Sequence, residues 1–300
     1  MSVRSPFFYV GDKYKLMPQL TKLFPKNINR FIEPFVGGGS AFLNTKAKEY
    51  LVNDIDTNVI NLHKKLCEYS KNSNLFFNEI FKIIKQYELS CSYIGITAPN
   101  ELKKQYIKTY YAKYNKNAYL ALKNDFNKNQ SDILRLYVLL IYGFNHMIRF
   151  NLSGKFNLPV GNVDFNQNVY NALVCYFDFC QKNKIKFVNS DYRDFLRTIN
   201  FKENDFIYFD PPYFISNSEY NKFWSNLDEI EIYKILDDLD KKGVKFGITN
   251  LVNHKGKTNN ILKIWSKKYQ IYTIKSNYIS FNDNTIKQDS NEIFVTNFKE

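Results

Sequence analysis

Three consecutive glycines, Gly37-Gly38-Gly39, separate the apolar run Arg30-Phe31-Ile32-Glu33-Pro34-Phe35-Val36 from a helix-like opening at Ser40 with Ala41, Phe42 and Leu43. Strand, glycine turn and helix in that order begin a βαβ unit, which commits the chain to a largely parallel sheet covered by helices. A second strand pattern, Tyr50-Leu51-Val52-Asn53, ends in Asp54, and Thr57 is the expected N-cap of a helix carrying Val59, Ile60 and Leu62. The alternation resumes far downstream. Strands are predicted over Ile185 to Asn189, Asp205 to Phe209, Val244 to Thr249, Tyr269 to Lys275 and Glu292 to Phe298. Between them fall a short helix from Asp191 and longer helices over Leu227 to Lys241 and Asn259 to Lys267.

Between the two halves the pattern changes. From about Asn72 to Tyr142 the chain is lysine-rich, with apolar residues at helical spacing and no strand, turn, helix alternation. Two alternating runs around Ser153-Gly154 then read as a β-hairpin. The expected organisation is an α/β core built from 1–57 and 169–300, interrupted by a mainly helical module over 58–168 that ends in the hairpin. Ser276 to Ser290, polar around Asn282-Asp283-Asn284, is expected to be a mobile loop.

Charge is distributed unevenly. The 42 Lys and Arg outnumber the 29 Asp and Glu by 13, and the stretch Asn58 to Phe165, with 15 basic and 7 acidic residues, carries +8 of that excess. A basic middle segment between less basic flanks suits a nucleic-acid contact surface, although a Lys- and Asn-rich composition alone produces many solvated lysines. No run of about 18 apolar residues is present, and the N-terminal MSVRSPFFYVGDK lacks a long apolar core, so neither secretion nor membrane insertion is expected. The four scattered cysteines form no CxxC pair and the three histidines lie far apart, which favours reduced thiols in a cytoplasm and chemistry without a metal.

The glycine turn admits two readings, a tight connection or a backbone left bare so that a ligand can approach it. The third glycine of a dinucleotide fingerprint would fall at Phe42, which argues against a pyrophosphate cradle. Asp54 either caps the next helix or accepts both hydroxyls of a ribose, the usual handle on an adenosine. Asp210-Pro211-Pro212-Tyr213 is more specific, because it follows the buried pattern Phe206-Ile207-Tyr208-Phe209 and its prolines cannot extend a ladder. The strand must stop there, with a carboxylate and a carbonyl at its tip. Two such acceptors can bind both N–H groups of a planar amino group and stabilise the charge that develops as it is alkylated, while Tyr213 stacks on the ring.

Taken in order, Tyr9-Val10-Gly11-Asp12-Lys13, FIEPFVGGGSAF, VNDID, YGFNHMIRFNLSGKFNLPVG, DPPY and NKFW resemble the Dam-type (D12 class, alpha group) DNA adenine methyltransferases of bacteria and phages, from Pro6 to about Phe298. The resemblance implies a Rossmann-like methyltransferase core, S-adenosyl-L-methionine as donor, no metal, and N6-methyladenine in duplex DNA as product. It further implies base flipping at a short site, GATC or a close variant, by a monomer or weak dimer, either solitary or accompanied by a cognate restriction endonuclease.

Carried over by position, Asp210, Pro211, Pro212 and Tyr213 are the catalytic residues. Tyr9, Lys13, Glu33, Gly37, Gly38, Gly39, Asp54, Asp191, Tyr192 and Asp210 are the cofactor contacts. Phe144, Asn145, Met147, Arg149, Asn151 and Pro159 face DNA, with Arg149 suited to a guanine edge and Phe144 to wedging into the stack. Judged by residue type alone, Lys13 and Arg149 are also ordinary surface charges, and Tyr9 and Phe144 ordinary core aromatics. One departure stands out: where relatives often carry basic residues after Pro159-Val160-Gly161, this chain has Asn162-Val163-Asp164. Methylation of an amino group in RNA or protein, and non-catalytic DNA binding on the same scaffold, are the alternatives.

Overall fold

A computed structural model describes residues 2–216, 224–275 and 290–299. Eight strands occupy Arg30–Glu33 (β1), Glu49–Asp54 (β2), Lys184–Asn189 (β3), Asp205–Phe209 (β4), Lys245–His254 (β5), Lys257–Thr258 (β6), Gln270–Ile274 (β7) and Asn291–Thr296 (β8). They form one sheet in the order β3-β2-β1-β4-β5-β8-β7, with β6 pairing β5 off this path. The neighbours from β3 to β5 are parallel, and β8 runs antiparallel to both β5 and β7. This is the doubly wound α/β arrangement of Rossmann-like methyltransferases. The strand order reverses between β1 and β4, so a crevice opens beyond their C-terminal ends.

Alternation along the strands feeds two cores. Phe31, Tyr50, Val52, Phe206, Tyr208 and Phe294 point to one face, and Ile32, Ile207, Phe209, Phe246, Ile248, Ile293 and Val295 to the other. The first face is covered by the helices Thr57–Tyr69 and Gln167–Lys182, the second by Tyr192–Arg197, Asn226–Lys241 and Asn260–Trp265. The helices Ser73–Gln86, Lys116–Lys128 and Ile133–Tyr142 add a bundle whose interior, including Phe76, Ile80, Tyr119, Phe126 and Leu139, is continuous with the first face. Bundle and sheet therefore share a core rather than meeting at a polar seam.

Element boundaries differ from the sequence expectation in informative ways. β1 ends at Glu33 rather than Val36, because Pro34 lacks the N–H that the ladder needs. Asp56, not Thr57, caps the following helix, its carboxylate accepting from Asn58 N at 2.8 Å. β5 extends to His254, five residues past Thr249, and β6 turns back on its end at Asn253 and His254. The hairpin exists as isolated pairing, Phe150 with Phe156 and Gly143 with Val160, rather than as two strands. Asn151 explains the shortness: its Oδ1 accepts from Ser153 N, Lys155 N and Ser153 Oγ at 2.8 to 3.1 Å, tying the chain into a polar turn. The returning arm is held by burial on alternate residues, Phe156 and Leu158 inward and Lys155, Asn157 and Pro159 outward. Of NKFW, residues 221–223 lie outside the described residues, as do residues 276–289 of the expected mobile loop. Among the described residues no helix is long and apolar enough to cross a membrane.

Candidate active site

The crevice beyond β1 and β4 gathers most of the residues singled out in the sequence. After β1 the chain turns through Gly37 (φ 45°) and Gly39 (φ 83°), both in the left-handed region. A Cβ at Gly39 would lie 2.3 Å from the Phe42 ring and 2.9 Å from the His63 ring, and one at Gly38 would lie 2.8 Å from Tyr9 Cβ. Tyr9 thus packs directly on the bare backbone of the turn.

Three side chains fix that backbone. Gly37 N donates to Asp54 Oδ2 at 2.9 Å, the Gly38 carbonyl accepts from the Ser5 hydroxyl, and the Gly37 carbonyl lies 2.8 Å from His63 Nε2. A carbonyl only accepts, so Nε2 carries the proton and Nδ1 accepts from the Tyr176 hydroxyl at 2.9 Å. Burial holds His63 neutral by lowering its pKa to about 4, with the Gly37 hydrogen bond opposing. Nothing in the sequence marked His63 or Tyr176. They are single residues on two helices, and their meeting depends on how those helices pack.

Asp54 Oδ1 accepts from Asp56 N at 2.9 Å, so both carboxylate oxygens are engaged by backbone and each keeps a lone-pair direction for a further donor. Burial raises its pKa to about 6, against the opposing pull of these amides. Glu33, at the end of β1, is 2% exposed and accepts from Phe42 N at 3.2 Å. Burial first, then the Asp210 charge, pushes its carboxyl well above the ordinary range.

Asp210 follows β4 and receives three contacts on Oδ1: Lys13 Nζ at 3.0 Å, Thr249 Oγ1 at 3.0 Å and Tyr213 OH at 3.1 Å. Among the described residues its Oδ2 takes no hydrogen bond, which leaves one acceptor open. Lys13 is 8% exposed and sits 4.5 Å from the Tyr213 ring centroid. Burial alone would lower its pKa; Asp210 and Glu292 together outweigh this and raise it. Glu292, on β8, is fully buried and accepts from Tyr213 OH at 2.6 Å. Thr249 and Glu292 were also invisible in sequence, being ordinary residues within strands that the topology brings beside Asp210.

Asp191 caps the helix Tyr192–Arg197, its Oδ1 accepting from Arg193 N at 2.8 Å. Tyr192 is buried, its ring 5.0 Å from Phe35 and 5.9 Å from Trp224. Among the described residues its hydroxyl is buried without a hydrogen-bond partner. Phe35, after β1, and Trp224, after β4, thus lie against a ring with an unsatisfied hydroxyl, a setting suited to a heteroaromatic ligand that offers an acceptor. Together with the bare glycine turn and Asp54, these residues fit an adenosine-containing donor.

The residues of the hairpin form a second group. Phe144 is 52% exposed, Asn145 and Pro159 are exposed, and Met147 is half-buried. Arg149 folds onto Asn157, with Nε at 3.0 Å from Asn157 Oδ1 and Nη2 at 3.0 Å from its carbonyl. Asn151 serves the turn itself. The departure at Asn162-Val163-Asp164 acquires a structural account: Asn162 Oδ1 caps Tyr111 N and Ala112 N, and buried Asp164 accepts from Ser92 N and Oγ. The N-terminal segment links the two groups, because Phe8 meets the His146 ring at 5.5 Å while Tyr9 and Lys13 reach the crevice.

The chain is similar to known proteins. The modification methylase StsI of Streptococcus sanguinis and the type II methyltransferase M.FokI of Planomicrobium okeanokoites are each 32% identical to the chain over 307 residues. These alignments cover 99% of this chain and 43% of either relative, so the chain spans under half of their length. The DNA adenine methylase of Escherichia coli strain K12 is 24% identical over 288 residues, covering 93% of this chain and 90% of that protein. Residues 9–279 match the family described as D12 class N6 adenine-specific DNA methyltransferase, and the chain belongs to that family.

Proposed function

We propose that the chain transfers a methyl group from S-adenosyl-L-methionine to the exocyclic amino group of an adenine flipped out of a short duplex site, GATC or a close variant. The observation that carries the reading is the convergence on Asp210: a carboxylate at a strand tip, one oxygen saturated and the other open, beside Pro211 and Tyr213 and next to a glycine turn with Asp54. When bound, S-adenosyl-L-methionine supplies an electrophilic methyl group. Asp54 accepts ribose hydroxyls, and Phe35, Tyr192 and Trp224 enclose the adenine of the donor. Gly37 to Gly39, with Tyr9 and Glu33, border its methionine portion.

On the acceptor side, Asp210 Oδ2 and the Pro211 carbonyl accept the two N–H bonds of the target amino group. They draw its nitrogen toward tetrahedral geometry and stabilise the positive charge that develops there. Pro212 fixes the path to Tyr213, which stacks on the base. Arg149, the half-buried Met147 and the exposed Phe144, Asn145, Asn151 and Pro159 approach the groove, within a recognition unit over 58–168. The modification and type II names of the relatives support a companion restriction endonuclease.

The test is transfer of labelled methyl from the donor to unmethylated genomic DNA, followed by mapping of the modified positions. N6-methyladenine at a short recurring site is the expected result. Label in RNA or protein but not in DNA overturns the reading.

A further inference from the structure

Tyr213 has one hydroxyl proton and, among the described residues, two carboxylates within reach, Glu292 Oε1 at 2.6 Å and Asp210 Oδ1 at 3.1 Å. The shorter contact takes the proton, so Tyr213 is anchored to Glu292. Glu292 also lies 3.9 Å from Lys13 Nζ, which makes its 3.0 Å contact with Asp210. Its side chain has no exposure, and it sits on β8, the antiparallel strand, one neighbour removed from the strand that Asp210 follows. None of the motifs of the chain contains it.

From this geometry we infer that Glu292 is a positioning residue for methyl transfer, fixing the Tyr213 ring from behind and holding Lys13 against Asp210 Oδ1. The inference rests on the function proposed above. Two consequences follow from the arrangement. With its hydroxyl pinned, the Tyr213 ring presents a fixed face to the flipped base, so stacking sets the base plane relative to Asp210 Oδ2. With Lys13 held between two carboxylates, Oδ1 of Asp210 is occupied and the acceptor amino group is directed to Oδ2 alone. Glu292 touches neither reactant, and its influence passes through Tyr213 and Lys13.

The experiment is a double-mutant cycle of Glu292→Ala and Tyr213→Phe, with Glu292→Gln alongside. Three readouts are donor affinity by calorimetry, KM for genomic DNA, and the single-turnover rate of labelled methyl transfer. A misplacement of the base by about 1 Å is expected to slow transfer about 100-fold in Glu292→Ala while donor affinity changes less than about threefold. Glu292→Gln keeps an acceptor for the Tyr213 hydroxyl and nearly the same volume, so it should fold and recover most of the rate. In the Tyr213→Phe background, Glu292→Ala should have a smaller effect than in the wild type, since the shared contact is already gone. Wild-type turnover in Glu292→Ala, or strictly additive effects in the cycle, overturns the inference and leaves the proposed function standing. A wild-type protein that binds donor yet methylates no DNA overturns the function on which the inference rests.

Discussion

The crevice and the hairpin solve opposite problems. In the crevice, Asp54, His63, Ser5, Lys13, Thr249 and Glu292 arrive from different elements and saturate one another and the glycine turn, leaving few open positions. In the hairpin, the tip projects Leu152 wholly into solvent, and Arg149 is satisfied within its own loop by Asn157. Charge stabilisation at a reacting nitrogen needs dipoles fixed in advance, whereas reading a groove needs side chains free to exchange one partner for another. Under the proposed function, preorganisation belongs to the chemistry and adaptability to the site read.

That contrast can be broken at several points. Asp210→Ala should lower methyl transfer by about 10³-fold or more, equal to about 4 kcal/mol of barrier, with an unchanged circular dichroism spectrum. Retained turnover would deny the crevice its role. Gly39→Ala places a Cβ against Phe42 and His63 in a left-handed conformation, and a loss of about 2–4 kcal/mol in chemical denaturation is expected. An unchanged midpoint would mean that the turn is not rigid. Arg149→Ala should cost about 1–3 kcal/mol in specific DNA binding and relax discrimination at one base pair, read by competition among single-substituted duplexes. A uniform loss across sequences would make Arg149 a phosphate contact.

A gentler test uses acidity. A carboxyl whose folded pKa is raised to about 6 is protonated below that value, so its burial favours the folded state at low pH, and this contribution is lost as pH rises through about 6. Hydroxyls of a ribose bind the ionised form. Donor affinity should therefore be full above pH 6 and decline by up to about tenfold per unit below it, and Asp54→Asn should weaken binding and remove the slope. The smallest effect is expected at the hairpin tip, where Leu152→Ser should change stability by no more than about 0.5 kcal/mol. A large loss there would show that the tip is packed after all.

Legibility in the sequence divides along physical lines. β4, Asp210 to Tyr213, Gly37 to Gly39 and the end of β2 at Asp54 were readable because each is a contiguous stretch in which backbone constraints dictate residue type: Pro to stop a ladder, Gly for positive φ. Thr249, His63, Tyr176 and Glu292 were not, since each is one common residue in an ordinary strand or helix whose partner lies tens to hundreds of positions away. The hairpin was readable as alternation, but its pairing was overestimated because Asn151 diverts amide hydrogens to its own side chain. At the departure after Pro159-Val160-Gly161, Asn162 and Asp164 instead accept from the backbone amides of Tyr111 and Ser92, contacts that no local pattern announces.

The cluster of Lys13, Asp210 and Glu292 also bears on how the protein is made. Its three charged members are separated by nearly the whole chain, so a ribosome has delivered Lys13 and the glycine turn long before β8 exists to receive Tyr213. Every shorter nascent chain exposes Asp210 without its full set of partners, and formation of the cluster must await the insertion of β8 between β5 and β7. Such non-local closure slows folding. It also means that a truncated product lacking β8, even one able to hold its first strands together, would carry the motifs of the family without an assembled centre.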